Sequence, residues 1–153
     1  MVHIIRINQT QGDLVFDLFD RYRVFYKKPS DPEVAKAFIQ QRLDQNESVV
    51  FVALDAAGRP MGFTQLYPHY SSVRVMENWI LNDLYVHESY RRRGVGKALI
   101  DKAMDFARKE HSIYMELSTA VDNYRAQRLY EQIGFKKVAP ESDFFTYRIG
   151  LAE

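Results

Sequence analysis

Cysteine is absent from this chain of 153 residues. Its absence excludes disulfide bonds, thiolate zinc sites and a cysteine nucleophile, and we predict no metal site. Apolar runs long enough to cross a bilayer are also lacking, and residues 1 to 6 carry no signal-peptide core. We therefore expect a cytoplasmic protein that has no membrane partner.

An excess of charge of one sign is lacking too, because the formal net charge is only +1. Proteins dedicated to nucleic acids show a large basic excess, so we expect no nucleic-acid partner. A nucleic-acid binder that uses the three arginines of residues 91 to 93 stays open as an alternative. Glycine and proline form no linker and no repeat is visible, so residues 1 to 153 are predicted to form a single domain.

What the chain does contain is a clear alternation of apolar patterns. Helices are predicted at residues 12 to 26, after the proline-rich break at 29 to 32, at 97 to 109 and at 123 to 133. Strands are predicted at residues 4 to 7, 48 to 54, 61 to 67 with Pro68 as the end, 79 to 86, 113 to 119, 135 to 138 and 144 to 151. This order predicts an α/β fold (α+β mixed), in which a mixed sheet carries helices on its faces.

The most informative segment is a strand, a basic glycine turn and a helix in direct succession, over residues 84 to 99. A helix N-terminus presents unpaired main-chain N–H groups and a partial positive charge, which suit an anion. Gly94 and Gly96 let the main chain approach a pyrophosphate closely, and the arginines add forked donors. The spacing fits neither the phosphate loop of nucleotide hydrolases nor the dinucleotide-binding fingerprint. The alternative is a solvated basic turn that only starts a helix.

This turn, Arg91-Arg92-Arg93-Gly94-Val95-Gly96, resembles the Arg/Gln-x-x-Gly-x-Gly/Ala signature of the GNAT superfamily of N-acetyltransferases. The segment at 123 to 135 resembles the family's Asn-x-x-Ala-x-x-Leu-Tyr-x-x-x-Gly-Phe pattern. Two signatures in the right order are more specific than either alone, and the resemblance is strong over residues 79 to 135. It implies a GNAT-like central mixed, mostly antiparallel sheet with a splayed strand pair and helices on both faces.

The resemblance also implies acetyl-coenzyme A as the cosubstrate, with the strand end along its pantetheine arm and the turn around its pyrophosphate. It further implies that Asn123 hydrogen-bonds the arm and that Tyr130 is the general acid that protonates the departing thiolate. The alternative is that Asn123 only caps a helix and Tyr130 packs in the core. The implied coenzyme-binding residues are Leu84, Tyr85, Val86, Arg91, Arg92, Arg93, Gly94, Val95, Gly96, Lys97, Asn123, Ala126 and Tyr130.

Without a cysteine to carry the acetyl group, we expect the amine to attack the thioester directly in a ternary complex. The amine must lose a proton, so a base is required. Some relatives carry a glutamate where this chain has Asn82, which cannot accept a proton. Asp83 is predicted as the second catalytic residue, although a regular strand would point it to the opposite face from Asn82. Glu77, Glu88 and a water chain remain open as alternatives.

The acceptor is expected to meet aromatic side chains of the first helix pair and of the loop after the hairpin. Aromatic rings suit an aliphatic amine, although such residues are more often part of the core. The predicted acceptor-binding residues are Tyr22, Tyr26, Tyr67, Tyr70 and Asp83.

We expect a small amine, polyamine-like or amino-acid-like, as the acceptor. A protein lysine or N-terminus is the second choice, and a non-catalytic acyl-coenzyme A sensor is a further alternative. Because members of the family often pair through late strands, the resemblance also implies a homodimer formed through residues 144 to 147.

Overall fold

The computed structural model describes residues 2–138 and 144–152. Contacts divide the chain into two units, Met1–Ser118 and Thr119–Glu153. The elements of the first unit are β1 (His3–Arg6), α1 (Phe16–Phe25), α2 (Pro32–Asp44), β2 (Val49–Leu54), β3 (Pro60–Ser71), β4 (Met76–Val86), α3 (Val95–Lys109) and β5 (Met115–Glu116). The second unit contains α4 (Tyr124–Ile133). The prediction of a single domain over residues 1 to 153 stays a prediction.

The five strands form one sheet in the order β1-β2-β3-β4-β5. The first four strands are antiparallel to their neighbours. β5 lies parallel to β4 and pairs with it through Trp79↔Met115 and Ile80↔Glu116. This mixed, mostly antiparallel sheet confirms the predicted fold class.

Helices pack on both faces of the sheet in the first unit. On one face, α1 and α2 bury side chains such as Phe19 and Ile39 against Val50 and Val52 of β2. On the other face, Phe106 of α3 lies edge-on to the Phe51 ring, with ring centroids 5.9 Å apart. Successive residues of β2 therefore point to opposite helix layers, as a strand's alternation requires. Each fully buried side chain of this kind contributes about 1.5–3 kcal/mol, so the core holds the central strands firmly.

Polar and glycine residues define several helix ends. The Asp31 side chain accepts a hydrogen bond from the Val34 N–H at 3.2 Å, and Pro32 occupies the first turn of α2. Gly94 precedes α3 with a φ of 78°, a left-handed conformation that glycine adopts without a steric penalty. Gly134, with a φ of 120°, ends α4 at the predicted position.

Two strand predictions in the first unit are wrong in their bounds. β3 continues through Pro68 to Ser71. The first residue of β2, Val49, lies opposite Leu66, so beyond Leu66 β3 pairs with β4 only. Proline is tolerated in a strand that has a neighbour on one side only. The strand predicted at residues 113 to 119 is reduced to β5, because only that short segment pairs with β4. The helix predicted at residues 12 to 26 is likewise divided into a 3-10 turn, Gly12–Leu14, and α1.

The strands predicted at residues 135 to 138 and 144 to 151 are absent from the described part of the second unit. A strand needs a hydrogen-bonded neighbour, and alternating apolar residues alone do not supply one. Phe145 and Tyr147 are 86% and 89% exposed, respectively. The apolar alternation of this segment is therefore not matched by burial.

Candidate active site

A β-bulge interrupts β4 where the resemblance places the reaction. Gln65 of β3 pairs with Asp83, while the following residue Leu66 pairs with Leu81, so Asn82 is an extra residue without a partner. Asn82 is exposed and Asp83 is buried, yet the Asn82 Nδ2 donates to the Asp83 Oδ1 at 2.9 Å. The expectation that Asp83 lies on the opposite face from Asn82 is therefore wrong, because the bulge brings the two side chains together.

Neutral donors surround the Asp83 carboxylate. Gln65 Nε2 donates to Oδ2 at 2.6 Å, and Gln65 Oε1 in turn accepts from Ser48 Oγ at 2.7 Å. Among the ion pairs of the described residues, none includes Asp83. A buried carboxylate without a counter-ion is costly, and it suits a site that receives a cation. We call Ser48, Gln65, Asn82 and Asp83 the Asp83 cluster.

Tyrosines gather around this cluster. The Tyr22 hydroxyl donates to the Asn82 carbonyl at 3.4 Å, and its ring lies 5.0 Å from the Tyr26 ring. Burial and the negative charge of Asp83 raise the pKa of Tyr67 to about 12, and the same two causes raise the pKa of Tyr26. At neutral pH these phenols are therefore protonated and polar at one end, beside the buried carboxylate.

Tyr70 does not join the other predicted acceptor-binding residues. It is 69% exposed and pairs with Glu77 near the far end of the β3–β4 hairpin. The pKa of Tyr70 is raised by a hydrogen bond to Glu77. Six strand residues span about 20 Å, which separates Glu77 from Asp83. Of the three carboxylates considered as bases, Asp83 is the one that the bulge buries, while Glu88 is exposed in a short 3-10 turn.

The open edge of β4 begins just before the bulge. β5 pairs with β4 only as far as Ile80, so residues 81 to 86 have no strand on that side within the described part of the first unit. This divergence agrees with the splayed strand pair that the resemblance implies. Main-chain groups of Leu84 and Tyr85 that point to that edge are open to an extended ligand, whereas the Val86 carbonyl accepts from Arg91.

We call residues 91 to 97 the phosphate turn, and it is exposed over its first half. Its main-chain N–H groups donate no hydrogen bond within the described residues, and the first amide of α3 to find a partner is that of Ala98, bonded to the Gly94 carbonyl. Arg92 and Gly94 have φ values of 65° and 78°. Unbonded main-chain amides at a helix N-terminus, next to left-handed residues, are typical of main-chain anion sites.

The basic side chains of the phosphate turn differ in what they contact. Arg91 Nε donates to the Val86 carbonyl at 2.9 Å, so this side chain braces the turn against the strand end. The Arg93 guanidinium lies 5.7 Å from the Tyr90 ring, and Lys97 forms an ion pair with Asp101 at 2.7 Å. These three basic side chains therefore already contact other groups of the protein, whereas the main-chain N–H groups of the turn do not donate to any described residue.

Asp55 is a residue of this region that sequence reasoning missed. Its side chain accepts hydrogen bonds from the Arg59 N–H and from the Tyr90 hydroxyl, the latter at 3.1 Å. The Arg59 bond foremost, and then that of Tyr90, lower the pKa of Asp55. The turn between β2 and β3 is thus tied to the segment just before the phosphate turn.

In the second unit, α4 carries the other implied coenzyme residues. The Asn123 side chain accepts from the Ala126 N–H at 3.3 Å and caps the helix. The Tyr130 ring lies edge-on to Phe135, with centroids 6.0 Å apart. Asn123, Ala126 and Tyr130 are all half-buried. Their roles toward the coenzyme stay predictions.

Sequence reasoning also missed Ser48 and Gln65. Both are polar residues within runs otherwise dominated by apolar side chains, and both are buried in the structure. A buried polar residue in a central strand requires a partner, and that requirement is the signal that the pattern offered. The identity of the partner depends on strand register, which the sequence does not display.

Two searches of the described residues, 2–138 and 144–152, gave negative results. They contain no helix with both the length and the apolar character of a membrane span. They also contain no group of three or more histidine, aspartate or glutamate side chains placed to hold a metal ion.

Comparison with known proteins gives consistent matches. Residues 14–135 match the model of the Acetyltransferase (GNAT) family. The chain is 42% identical over 136 residues to the uncharacterized N-acetyltransferase YhfO of Bacillus subtilis, which covers 89% of this chain and 91% of that protein. It is 32% identical over 121 residues to the D-amino-acid N-acetyltransferase HPA3 of Saccharomyces cerevisiae, covering 78% and 75% of the two chains. A crystal structure of a probable acetyltransferase matches with a TM-score of 0.87 and 39% identity over 99% of both chains.

Proposed function

This chain belongs to the acetyltransferase (GNAT) family and is an N-acetyltransferase, and on that basis we propose that it moves an acetyl group from acetyl-coenzyme A to a small primary amine. The observation that carries the acceptor proposal is the Asp83 cluster, a buried carboxylate without a counter-ion beneath tyrosine side chains. A cationic amine that enters this site supplies the counter-ion that Asp83 lacks.

The coenzyme is proposed to lie along the open edge of β4 and to place its diphosphate at the phosphate turn. The main-chain amides of residues 92 to 97 support this placement, because they donate no hydrogen bond within the described residues and lie at the N-terminus of α3. The thioester would then lie beside Leu84 to Val86, whose main-chain N–H groups suit the oxyanion of the transition state. Asn123 and Ala126 of α4 are proposed to contact the arm of the coenzyme.

Acid–base chemistry is proposed to use two residues. Asp83 accepts the proton of the attacking amine, directly or through a water, because it is the buried carboxylate of the bulge. Tyr130 protonates the departing thiolate, as the resemblance implies. The reaction is a direct displacement in a ternary complex, because the chain holds no cysteine to form an acyl-enzyme.

The size of the acceptor is inferred from the surroundings of Asp83. Tyr22, Tyr26 and Tyr67 lie near the carboxylate, and aromatic side chains beside a single buried charge suit an alkyl amine or an amino acid. HPA3, which is similar over most of both chains, is named for activity on D-amino acids. Amino acids and polyamines are therefore the first compounds to test.

The experiment is an acceptor screen of polyamines, amino acids of both configurations and lysine peptides, with release of free coenzyme A as the readout. We expect turnover with at least one small amine and none with peptides. Turnover confined to peptides favours the alternative of a protein acetyltransferase. Tight binding of acetyl-coenzyme A without turnover favours a non-catalytic sensor.

Tyr130→Phe tests the proposed acid. Loss of a general acid typically costs about a hundredfold or more, so kcat should fall by that factor while the Kd of acetyl-coenzyme A stays within about twofold. Tyr124→Phe, on the same helix but 66% exposed, is the matched control. An unchanged kcat in the Tyr130 variant assigns the acid to another group.

A homodimer and a cytoplasmic location are also proposals. Phe144, Phe145 and Tyr147 are exposed, and a second copy of the chain offers one way to cover them. Sedimentation at micromolar concentration gives a dimer if this proposal holds and a monomer if it does not.

A further inference from the structure

Gln65 is fully buried in β3, directly opposite Asp83 of β4. Its amide makes two hydrogen bonds of opposite sense, because Nε2 donates to Asp83 Oδ2 while Oε1 accepts from Ser48 Oγ. A buried amide is costly unless both of its ends are bonded, and here both are. Turning the amide over would place Oε1 against a carboxylate oxygen, so the orientation of the side chain is determined.

The hydrogen bonds of these side chains all run toward the Asp83 carboxylate. The Ser48 hydroxyl donates to Gln65, and Gln65 donates to Asp83, so each bond polarises the next toward the carboxylate. Asn82 adds a second donor to the other carboxylate oxygen. Both oxygens of Asp83 are therefore held by neutral donors, which fix the orientation of the side chain and supply no counter-ion.

Other titratable groups face the cluster from the elements packed against it. One tyrosine of α1, the tyrosine that follows α1 and one tyrosine of β3 lie near it, and an arginine–glutamate pair, with N and O atoms 3.4 Å apart, acts on the pKa of the β3 tyrosine. None of these is an ion pair to Asp83 within the described residues. The groups are Tyr22, Tyr26, Tyr67, Arg42 and Glu47.

We propose that Gln65 is a positioning residue for the amine acceptor, holding the Asp83 carboxylate in a fixed orientation at the bulge, and that Ser48 locks the Gln65 amide in the donating orientation. The inference rests on the proposed function, because it assigns how that site recognises its amine. It adds one residue of β3, Gln65, and the residue just before β2, Ser48, to the residues that support the acceptor site, and it gives neither of them a contact with the substrate.

Gln65→Met is the decisive variant, because methionine keeps the volume and removes the donor. The carboxylate then loses its shortest hydrogen bond. The KM of the amine should rise about tenfold, and the Kd of acetyl-coenzyme A should stay within about twofold.

Thr64→Val is the matched control. The neighbouring Thr64 is equally buried, and its Oγ1 donates to Asp83 as well, but to the main-chain carbonyl, at 2.8 Å. Its replacement costs a buried hydrogen bond and hence stability, without touching the carboxylate. A purely structural role of these polar side chains would raise the amine KM in both variants alike, whereas we expect it to rise only in the Gln65 variant.

Ser48→Ala gives a second test that leaves the amide in place. It should raise the amine KM by a smaller amount, and it decides the question if Gln65→Met does not fold. An active wild-type enzyme whose two variants both keep the wild-type amine KM overturns the inference alone. A wild type that neither binds acetyl-coenzyme A nor transfers the acetyl group overturns the proposed function, and this inference with it.

Discussion

The Asp83 cluster and the phosphate turn suit ligands of opposite charge, and they differ in whether side chains or main-chain groups form the site. The cluster assembles buried side chains from separate strands around one charge, and its main chain is occupied by the sheet. The phosphate turn is exposed and contiguous, and its main-chain amides remain unbonded within the described residues. Binding a cation needs a placed carboxylate, whereas binding a diphosphate needs a placed backbone. Substitutions that change side-chain chemistry should therefore damage the cluster, and substitutions that change backbone conformation should damage the turn.

Asp83→Asn should give the largest effect. The variant removes the carboxylate charge that we propose binds the amine, and it places a new amide against the amide donors of Gln65 and Asn82. The kcat/KM for the amine should therefore fall at least about a hundredfold, or about 2.7 kcal/mol. Binding of acetyl-coenzyme A, measured by calorimetry, should stay within about twofold. Asp105→Asn, an exposed carboxylate on α3, is the control and should leave both quantities unchanged. An equal loss of acetyl-coenzyme A affinity in Asp83→Asn would contradict separate roles of the Asp83 cluster and the phosphate turn.

Gly62→Ala tests the strand that the two regions share. A Cβ at Gly62 would lie 2.7 Å from the Tyr85 carbonyl oxygen, so β3 and β4 would have to separate beside the open edge. We expect a loss of about 1–3 kcal/mol in the free energy of unfolding, measured with urea. A Cβ at Gly150 has no neighbour within 4 Å, and Gly150→Ala should change stability by less than about 0.5 kcal/mol. Equal stability of the two variants contradicts the close approach.

Gly94→Ala tests the backbone of the phosphate turn. An added Cβ meets no atom within 4 Å, but the φ of +78° is costly for any residue with a side chain, by about 1–2 kcal/mol. The Kd of acetyl-coenzyme A should rise about fivefold to tenfold, with the amine KM unchanged. Gly58→Ala has the same strain, with a φ of +81°, in the β2–β3 turn. It should lose stability without losing coenzyme affinity, and the reverse pattern would contradict the role of the turn.

Tyr67→Phe should give the smallest effect. The raised pKa of Tyr67, about 12, means that the folded protein keeps this proton after unfolded tyrosine has lost it near pH 10. Stability is therefore full below about pH 10 and falls as the pH rises toward 12. Tyr67→Phe removes the hydroxyl group, so the free energy of unfolding of the variant should fall by roughly 1 kcal/mol less at alkaline pH than that of the wild type. This figure is discounted for solvent screening of a partly exposed ring. Thermal melts at pH 8 and pH 11 measure the difference, and Tyr147→Phe, 89% exposed, should show none.

The phosphate turn was predictable because its parts are consecutive in the chain. Strand, glycines, arginines and helix occupy residues 84 to 99 in order, and each contributes through its own main chain. The Asp83 cluster was only partly predictable, because Ser48, Gln65 and Asp83 meet through strand register and a bulge. Neither the strand register nor the bulge can be read from one short segment of the sequence. Asp83 was found from its place beside Leu84, and its two supporting residues were not.

The fold shows the same division. Helices with local caps, such as α2 and α4, begin at the predicted residues. β5 and the segments at 135 to 138 and 144 to 151 depend on partners elsewhere, and there the predicted strands were too long or absent among the described residues. Local hydrogen bonds were legible in the sequence, and distant pairing was not.

The extra residue at Asn82 also acts as a phase shift along β4. Side chains alternate with a period of two, so one unpaired residue exchanges the two faces for everything that follows it. Deleting Asn82 would restore an unbroken ladder in which Asp83 still lies opposite Gln65. A change of one residue in length would thereby keep the carboxylate beside Gln65 and remove both its second donor, the Asn82 amide, and the bend that a bulge gives to a strand.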